Sequence, residues 1–238
     1  MCDQPKYKRI LLKLSGEALK GGESGLYHYE TVDAICMAIE KCCKAGIQVA
    51  VVVGAGNIWR GAADKSMDRT TSDQMGMLGT VINALCLKDA LRRIGRQSLV
   101  MTAVSMPSFA KLFTRDDAVE ALNCGKVVIL GCGTGSPYFS TDTGAVLRGK
   151  EIGAEALLFA KNVDGIYTSD PKKDPNAQKY DHISYSTILK EQLKAMDLTA
   201  AAFGLDNDMR ILVFGLEDPD SIYRIAMGQQ PGTVIDNL

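Results

Sequence analysis

Four successive residues, Ser140, Thr141, Asp142 and Thr143, offer three hydroxyls and a carboxylate five positions beyond the last of the alternating glycines Gly131, Gly133 and Gly135, with Pro137 and Tyr138 closing the turn between. Glycine lets backbone pass close to a ligand without a Cβ in the way. A hydroxyl-rich segment at a helix start leaves N–H groups that favour anions. The chemistry this spacing points to is phosphate or nucleotide binding; a glycine-rich turn with no ligand is the alternative this stretch alone leaves open. Two other segments end the same way, Leu12-Lys13-Leu14-Ser15-Gly16 and Val53-Gly54-Ala55-Gly56, the second followed by Arg60. Three backbone-accessible turns beside Lys13, Arg60 and Asp142 could hold several phosphates together.

Two familiar nucleotide motifs do not fit. GxGxxG needs glycine at its sixth position, where Gly54 leads to Trp59 and Gly131 to Ser136. GxxxxGK[ST] begun at Gly16 meets Gly22 where lysine belongs. With only His28 and His182 in the chain, a histidine-rich metal site is excluded and a serine–histidine triad disfavoured. The seven cysteines form no CxxC pair and lie mostly among apolar residues, as in a reduced, cytoplasmic protein.

The elements that must position these groups alternate between strand and helix, which predicts an α/β fold with a mainly parallel sheet covered on both faces. Strands are expected over 7–14, 48–53, 98–101, 127–130, 156–160 and 211–214, with a closing strand near Thr233. Helices are expected at Val32, Ile35, Cys36, Ile39 and Cys43, stopped by Gly46, and over 74–94, 115–123, 143–152, 184–194, 198–205 and 219–227. In a parallel sheet all carboxyl ends share one edge, and ligands bind outside it. Residues 61–73 read as a polar, mobile loop, Asp164-Gly165 as a hairpin signal, and 170–182 as a long functional loop. The helix over 74–94 carries Met75, Leu78, Ile82 and Leu85 on one stripe and Met77, Val81 and Leu91 off it. Apolar residues on more than one face predict cover on both sides, by the sheet and by a second subunit, or else an ordinary internal helix.

The 238 residues carry 27 basic and 28 acidic side chains, so no electrostatic footprint for nucleic acid is present. No apolar run approaches the roughly 20 residues needed to span a bilayer. Lys13 interrupts the apolar segment near the start, which argues against a signal peptide.

Five segments, KRILLKLSGEAL, GIQVAVVVGAGNIWRG, SDQMGMLGTVINAL, GTGSPYFSTDT and NVDGIYTSDPKKDP, with AMDLTAAAF further on, run in order along essentially the whole chain. In this order and spacing the sequence resembles the amino acid kinase family, and within it the bacterial UMP kinase subgroup. The resemblance implies a single domain over 1–238, a three-layer αβα sandwich, with UMP bound mainly by the N-terminal part and ATP mainly by the part from about 155. It also implies transfer of the ATP γ-phosphoryl group to UMP in pyrimidine nucleotide biosynthesis, with Mg²⁺, no dedicated protein metal site, a homohexamer, and GTP and UTP as effectors.

The roles so implied suit the residues. Lys13 is placed between donor and acceptor phosphates; otherwise it is a strand-edge lysine reaching for water. Leu14, Ser15, Gly16, Gly56 and Arg60 would hold the ATP phosphates, Arg60 through its bidentate fork. Asn162, Tyr167 and Asp170 correspond to the nucleoside end of ATP, with Tyr167 as a core aromatic the alternative. Asp73 would accept from the ribose hydroxyls of UMP, or else cap the helix at Gln74. Ala55, Thr134, Gly135, Ser136, Pro137, Tyr138, Phe139, Ser140 and Thr141 would line the UMP site. Asp142 would orient Lys13 or Mg²⁺, or else cap its helix. Two departures stand out: Ala55 occupies a position usually glycine in the subgroup, and 21–26 matches poorly a stretch linked there to GTP. Competing readings are a family member acting on a carboxylate or carbamate, a nucleotide sensor without turnover, and a dinucleotide oxidoreductase.

Overall fold

The computed structural model describes residues 4–20, 25–60, 66–169, 171, 173–193, 196–230 and 232–237. In chain order the elements are β1 (Arg9–Leu14), a 3-10 turn (Gly16–Lys20), α1 (Tyr29–Lys44), β2 (Gln48–Val53) and α2 (Arg69–Arg93). Next come β3 (Ser98–Thr102), β4 (Lys111–Leu112), α3 (Arg115–Asn123), β5 (Val127–Gly131), α4 (Thr141–Glu151) and β6 (Ala156–Lys161). The chain then runs through β7 (Ile166–Tyr167), β8 (Lys179–Tyr180), β9 (His182–Ser184), α5 (Tyr185–Glu191), α6 (Leu198–Asp206), β10 (Ile211–Gly215), α7 (Ser221–Ala226) and β11 (Thr233–Asp236).

One sheet has the order β4-β3-β5-β2-β1-β6-β10-β11-β9, parallel except for the β10–β11 pair. Its inner strands are apolar runs because both faces are covered. Ile10, Leu12 and Leu14 of β1 pack with α1, α2 and α7, whereas Leu11 packs with α3, α4, α5 and α6. The expected three-layer αβα sandwich is therefore present. Because β1, β2 and β5 are adjacent and parallel, their three glycine turns emerge together at one edge.

Several boundaries differ from expectation. The long helix begins at Arg69, not Gln74, because Asp68 caps it by accepting the Thr71 N–H at 3.0 Å. Residues 69–73 therefore belong to the helix, not to the polar loop, of which 61–65 lie outside the described residues. The inward stripe of α2 is Val81, Ala84, Leu87 and Leu91, while Met75, Leu78 and Ile82 are exposed. The two-faced character expected of this helix is present, with its outer face uncovered in the single chain. Asp164-Gly165 does not turn a hairpin between its flanking strands: β7 pairs with β8, closing the loop that follows Tyr167. The expected loop over 170–182 thus contains strand β8, and Asp170 itself lies outside the described residues.

Candidate active site

At the carboxyl edge three charged side chains meet. Lys13 of β1 puts its Nζ 2.7 Å from Asp142 Oδ1, and Lys161 at the end of β6 puts its Nζ 3.7 Å from Asp142 Oδ2. The side chains of Lys13, Asp142 and Lys161 are only 11%, 13% and 21% exposed. Lys13 also lies 5.8 Å from the centre of the Phe159 ring, the residue opposite it on β6. Burial disfavours the Asp142 carboxylate, but the two ammonium groups outweigh it and hold its pKa below the ordinary aspartate value. Burial pushes the Lys161 ammonium below the usual lysine range, only partly offset by Asp142, and Lys13 adds to the fall. Two ammonium groups thus converge on one buried carboxylate at the sheet edge, with the Asp197 charge also acting on Lys161.

Local sequence explains why Asp142 is available. Ser140 caps α4, its hydroxyl accepting the N–H groups of Asp142 at 3.0 Å and Thr143 at 3.2 Å. The capping role considered for Asp142 therefore belongs to Ser140. Asp197 caps α6 through the Ala200 N–H at 2.9 Å and accepts the Thr143 hydroxyl at 3.0 Å and the Ser140 hydroxyl. The starts of α4 and α6 are tied by that one carboxylate.

The first two glycine turns interlock. Leu14 contributes its carbonyl, which accepts the Gly54 N–H at 2.9 Å. Ser15 is engaged as an acceptor for the Ala18 N–H at 3.1 Å. A Cβ on Gly16 would stand 2.5 Å from Gly56 N and 2.8 Å from Gly54 O, so only glycine fits. Ala55 is not in the left-handed region, so its methyl is accommodated where the resemblance leads one to expect glycine.

A cleft of about 770 Å³ opens at the start of α4, where Thr141 and Thr143 line it. It is lined by Ala55, Gly56, Arg60, Asp73, Thr134, Ser136, Tyr138, Phe139, Ser140 and Thr141 among the expected residues, and also by Arg69 and Asp197. Gly135, at φ 91°, and Pro137 shape the turn behind it without lining it. Asp73 does not cap α2; from within the helix it accepts Arg69 Nε and the Tyr138 N–H, each at 2.8 Å. Arg60 is exposed at the mouth, its Nε 3.4 Å from Gly56 O and its guanidinium paired with Glu17. Its ion pair is with Glu17, whereas Lys13 and Lys161 turn to Asp142.

A second hollow, of about 440 Å³, is lined by Lys161, Gly165, Ile166, Tyr167 and Leu193. Tyr167 is not a core aromatic, since it borders this hollow and donates to Asp164 Oδ1 at 2.7 Å. Asn162 faces a neighbouring hollow with Glu17 and His28, its Nδ2 3.4 Å from Glu17 Oε2. Among the described residues no group of three His, Cys, Asp or Glu side chains could hold a metal ion, and no helix is long and apolar enough to cross a membrane.

Reading the sequence alone missed Lys161, Asp197 and Arg69. Lys161 closes its apolar strand, whereas Lys13 lies within one, so its local signal is weaker; Asp197 precedes an apolar run as a cap should. If Lys161 acts as a cation, the alkaline limb of kcat/KM should fall below the ordinary lysine range. Lys161→Arg should move it upward, because guanidinium stays protonated. A pH–rate profile of the two proteins checks this.

The family model that matches the chain is that of the amino acid kinase family, over residues 8–215. The structure of UMP kinase from Bacillus anthracis superimposes with a TM-score of 0.93 at 35% identity, covering 97% of this chain and 96% of that one. UMP kinase from Ureaplasma parvum gives 0.90 at 36% identity, covering 98% and 100%. Uridylate kinase from Archaeoglobus fulgidus gives 0.73 at 29% identity, covering 95% and 99%.

Proposed function

The chain belongs to the amino acid kinase family, and from that premise we propose that it transfers the γ-phosphoryl group of ATP to UMP, giving UDP and ADP. The role is one of pyrimidine nucleotide biosynthesis in the cytoplasm. The observation that carries the reading is the pair of lysines on one buried carboxylate, whose chain neighbours Thr141 and Thr143 line a cleft of about 770 Å³ and whose partner Lys161 lines a hollow of about 440 Å³. UMP occupies the larger cleft, its phosphate toward the start of α4, and ATP occupies the hollow at Tyr167, its phosphates toward Lys161. The N-terminal part of the single domain thus binds mainly UMP, and the part from about 155 mainly ATP.

Phosphoryl transfer asks for alignment and charge neutralisation more than for a strong base. A UMP phosphate oxygen attacks the γ-phosphorus in line as the bond to the β-phosphate oxygen breaks. Lys13 and Lys161 balance the charge on the transferring group, and Asp142 fixes the direction of both ammonium groups. Arg60 leaves Glu17 for a phosphate when nucleotide binds, and Asp73 takes the ribose hydroxyls. The buried Asp142 carboxylate, which Lys13 meets at Oδ1, would offer hard oxygen ligands to Mg²⁺. Mg²⁺ bound there would add further charge neutralisation on the phosphates.

A coupled ADP-release assay with UMP, CMP, glutamate derivatives and carbamate tests the substrate. Turnover is expected with UMP far above the rest; turnover only with a carboxylate or carbamate refutes the reading. The exposed Met75, Leu78 and Ile82 of α2 support a homohexamer in which this face meets a second copy. Sedimentation should give a hexamer for the parent chain and smaller species for Leu78→Lys/Ile82→Lys. GTP and UTP act as effectors in this reading, and adding each to the same assay tests them.

A further inference from the structure

The inward face of α2 carries two polar side chains one turn apart, Thr80 and Asn83, and each is directed at a glycine turn. Thr80 Oγ1 donates to the Met77 carbonyl at 2.6 Å and accepts the Cys132 N–H at 2.8 Å. Cys132 lies at φ 63°, in the left-handed region that a Cβ disfavours, and is only 1% exposed. Its N–H therefore has no water to turn to. Asn83 is fully buried; its amide donates to Gly54 O at 2.7 Å and to Asn57 Oδ1 at 2.8 Å. Its carbonyl accepts Tyr27 Oη at 2.8 Å and Asn57 Nδ2 at 3.1 Å, so every donor and acceptor of Asn83 is used.

We infer that Thr80 and Asn83 are positioning residues for the transfer. Asn83 fixes the turn from Gly54 to Asn57. Thr80 holds Cys132 left-handed, and with it the backbone of Gly133 and Thr134 along the acceptor cleft. Thr80 borders that cleft, but its hydroxyl is engaged on both sides, so it acts through Cys132 rather than on the substrate. One rigid helix face thereby sets two of the three phosphate turns together. The substrate named in this inference rests on the UMP reading; the hold on the turn rests on the geometry alone.

Thr80→Val removes the hydroxyl at nearly constant volume, Thr80→Ser keeps it, and Cys132→Gly removes the side chain that makes the turn unfavourable. In the full chain, Thr80→Val should raise KM for UMP roughly 10-fold with KM for ATP unchanged. Thr80→Ser should stay near the parent. Amide hydrogen exchange over 131–135, measured without substrate, should quicken in Thr80→Val. Adding Cys132→Gly to Thr80→Val should restore UMP binding, since glycine takes the left-handed conformation freely. Unchanged KM and unchanged exchange in Thr80→Val overturn the inference, as does a Thr80→Ser protein as impaired as Thr80→Val. Should Thr80→Val fail to fold alone, the pair with Cys132→Gly should fold, and its failure refutes the role. A parent chain inert toward UMP removes the substrate reading while the exchange comparison still decides the inference.

Discussion

Lys13→Ala is expected to lower turnover of UMP and ATP by roughly 10²–10³-fold, the usual loss for one preorganised contact to developing charge. The fold should survive it. Lys13 lies in a central strand between Val52 and Phe159, and alanine is accommodated in a buried strand. Asp142 keeps Lys161 at 3.7 Å, so no carboxylate is left buried without a cation. The loss should therefore appear in kcat, with UMP and ATP still retained by the two hollows. Steady-state kinetics alongside a thermal melt separate this from unfolding. Near-normal turnover in a well-folded Lys13→Ala protein contradicts the assignment.

Asp142→Asn should act on stability as well as rate. It leaves Lys13 and Lys161 facing one another with no negative charge between them, and breaking such a buried pairing costs about 3–5 kcal/mol. For a chain of this size that is a fall in Tm of roughly 6–20 °C. The sign of its pH dependence follows from the depressed Asp142 pKa. The stability contributed by the ionised carboxylate is complete above the unfolded value of about 3.9 and is lost as pH falls through the lower folded value. The gap between parent and variant should thus narrow at acid pH. Lys161 adds an alkaline effect of the same direction: its folded pKa is below the unfolded one, so stability rises with pH through that window as the buried charge is discharged. Turnover of Asp142→Asn should fall by roughly 10²-fold or more, since neither ammonium is then aimed. Melts across pH check the first claim, and kinetics at neutral pH check the second.

What the residues disclosed in advance was whatever local chemistry writes into neighbouring positions. The three glycine turns, the hydroxyls at the start of α4 and the buried lysine of β1 announce themselves within a few residues of sequence. The αβα layering follows from alternating strand and helix patterns, and the mixed faces of α2 are visible in Met75, Leu78 and Val81. The start of α2 was not legible from its apolar spacing, which begins only at Met75. The cap at Asp68 was the signal, lying within a stretch whose polarity suggested loop. Lys161 and Asp197 were hidden for another reason. Lys161 matters only because β6 pairs directly with β1, bringing it from a distant part of the chain to the side of Lys13, where both meet Asp142. Asp197 reads locally as a helix cap, and nothing near it in sequence says that it also receives the Ser140 and Thr143 hydroxyls. The β7–β8 pairing likewise depends on where a long loop returns, which Asp164-Gly165 does not encode.

The most direct test uses ATP made chiral at its γ-phosphorus, turned over with UMP, and a determination of configuration in the UDP formed. Direct passage between two nucleotides meeting at Lys13, Asp142 and Lys161 predicts inversion. Retention would reveal a phosphorylated enzyme intermediate and contradict the account.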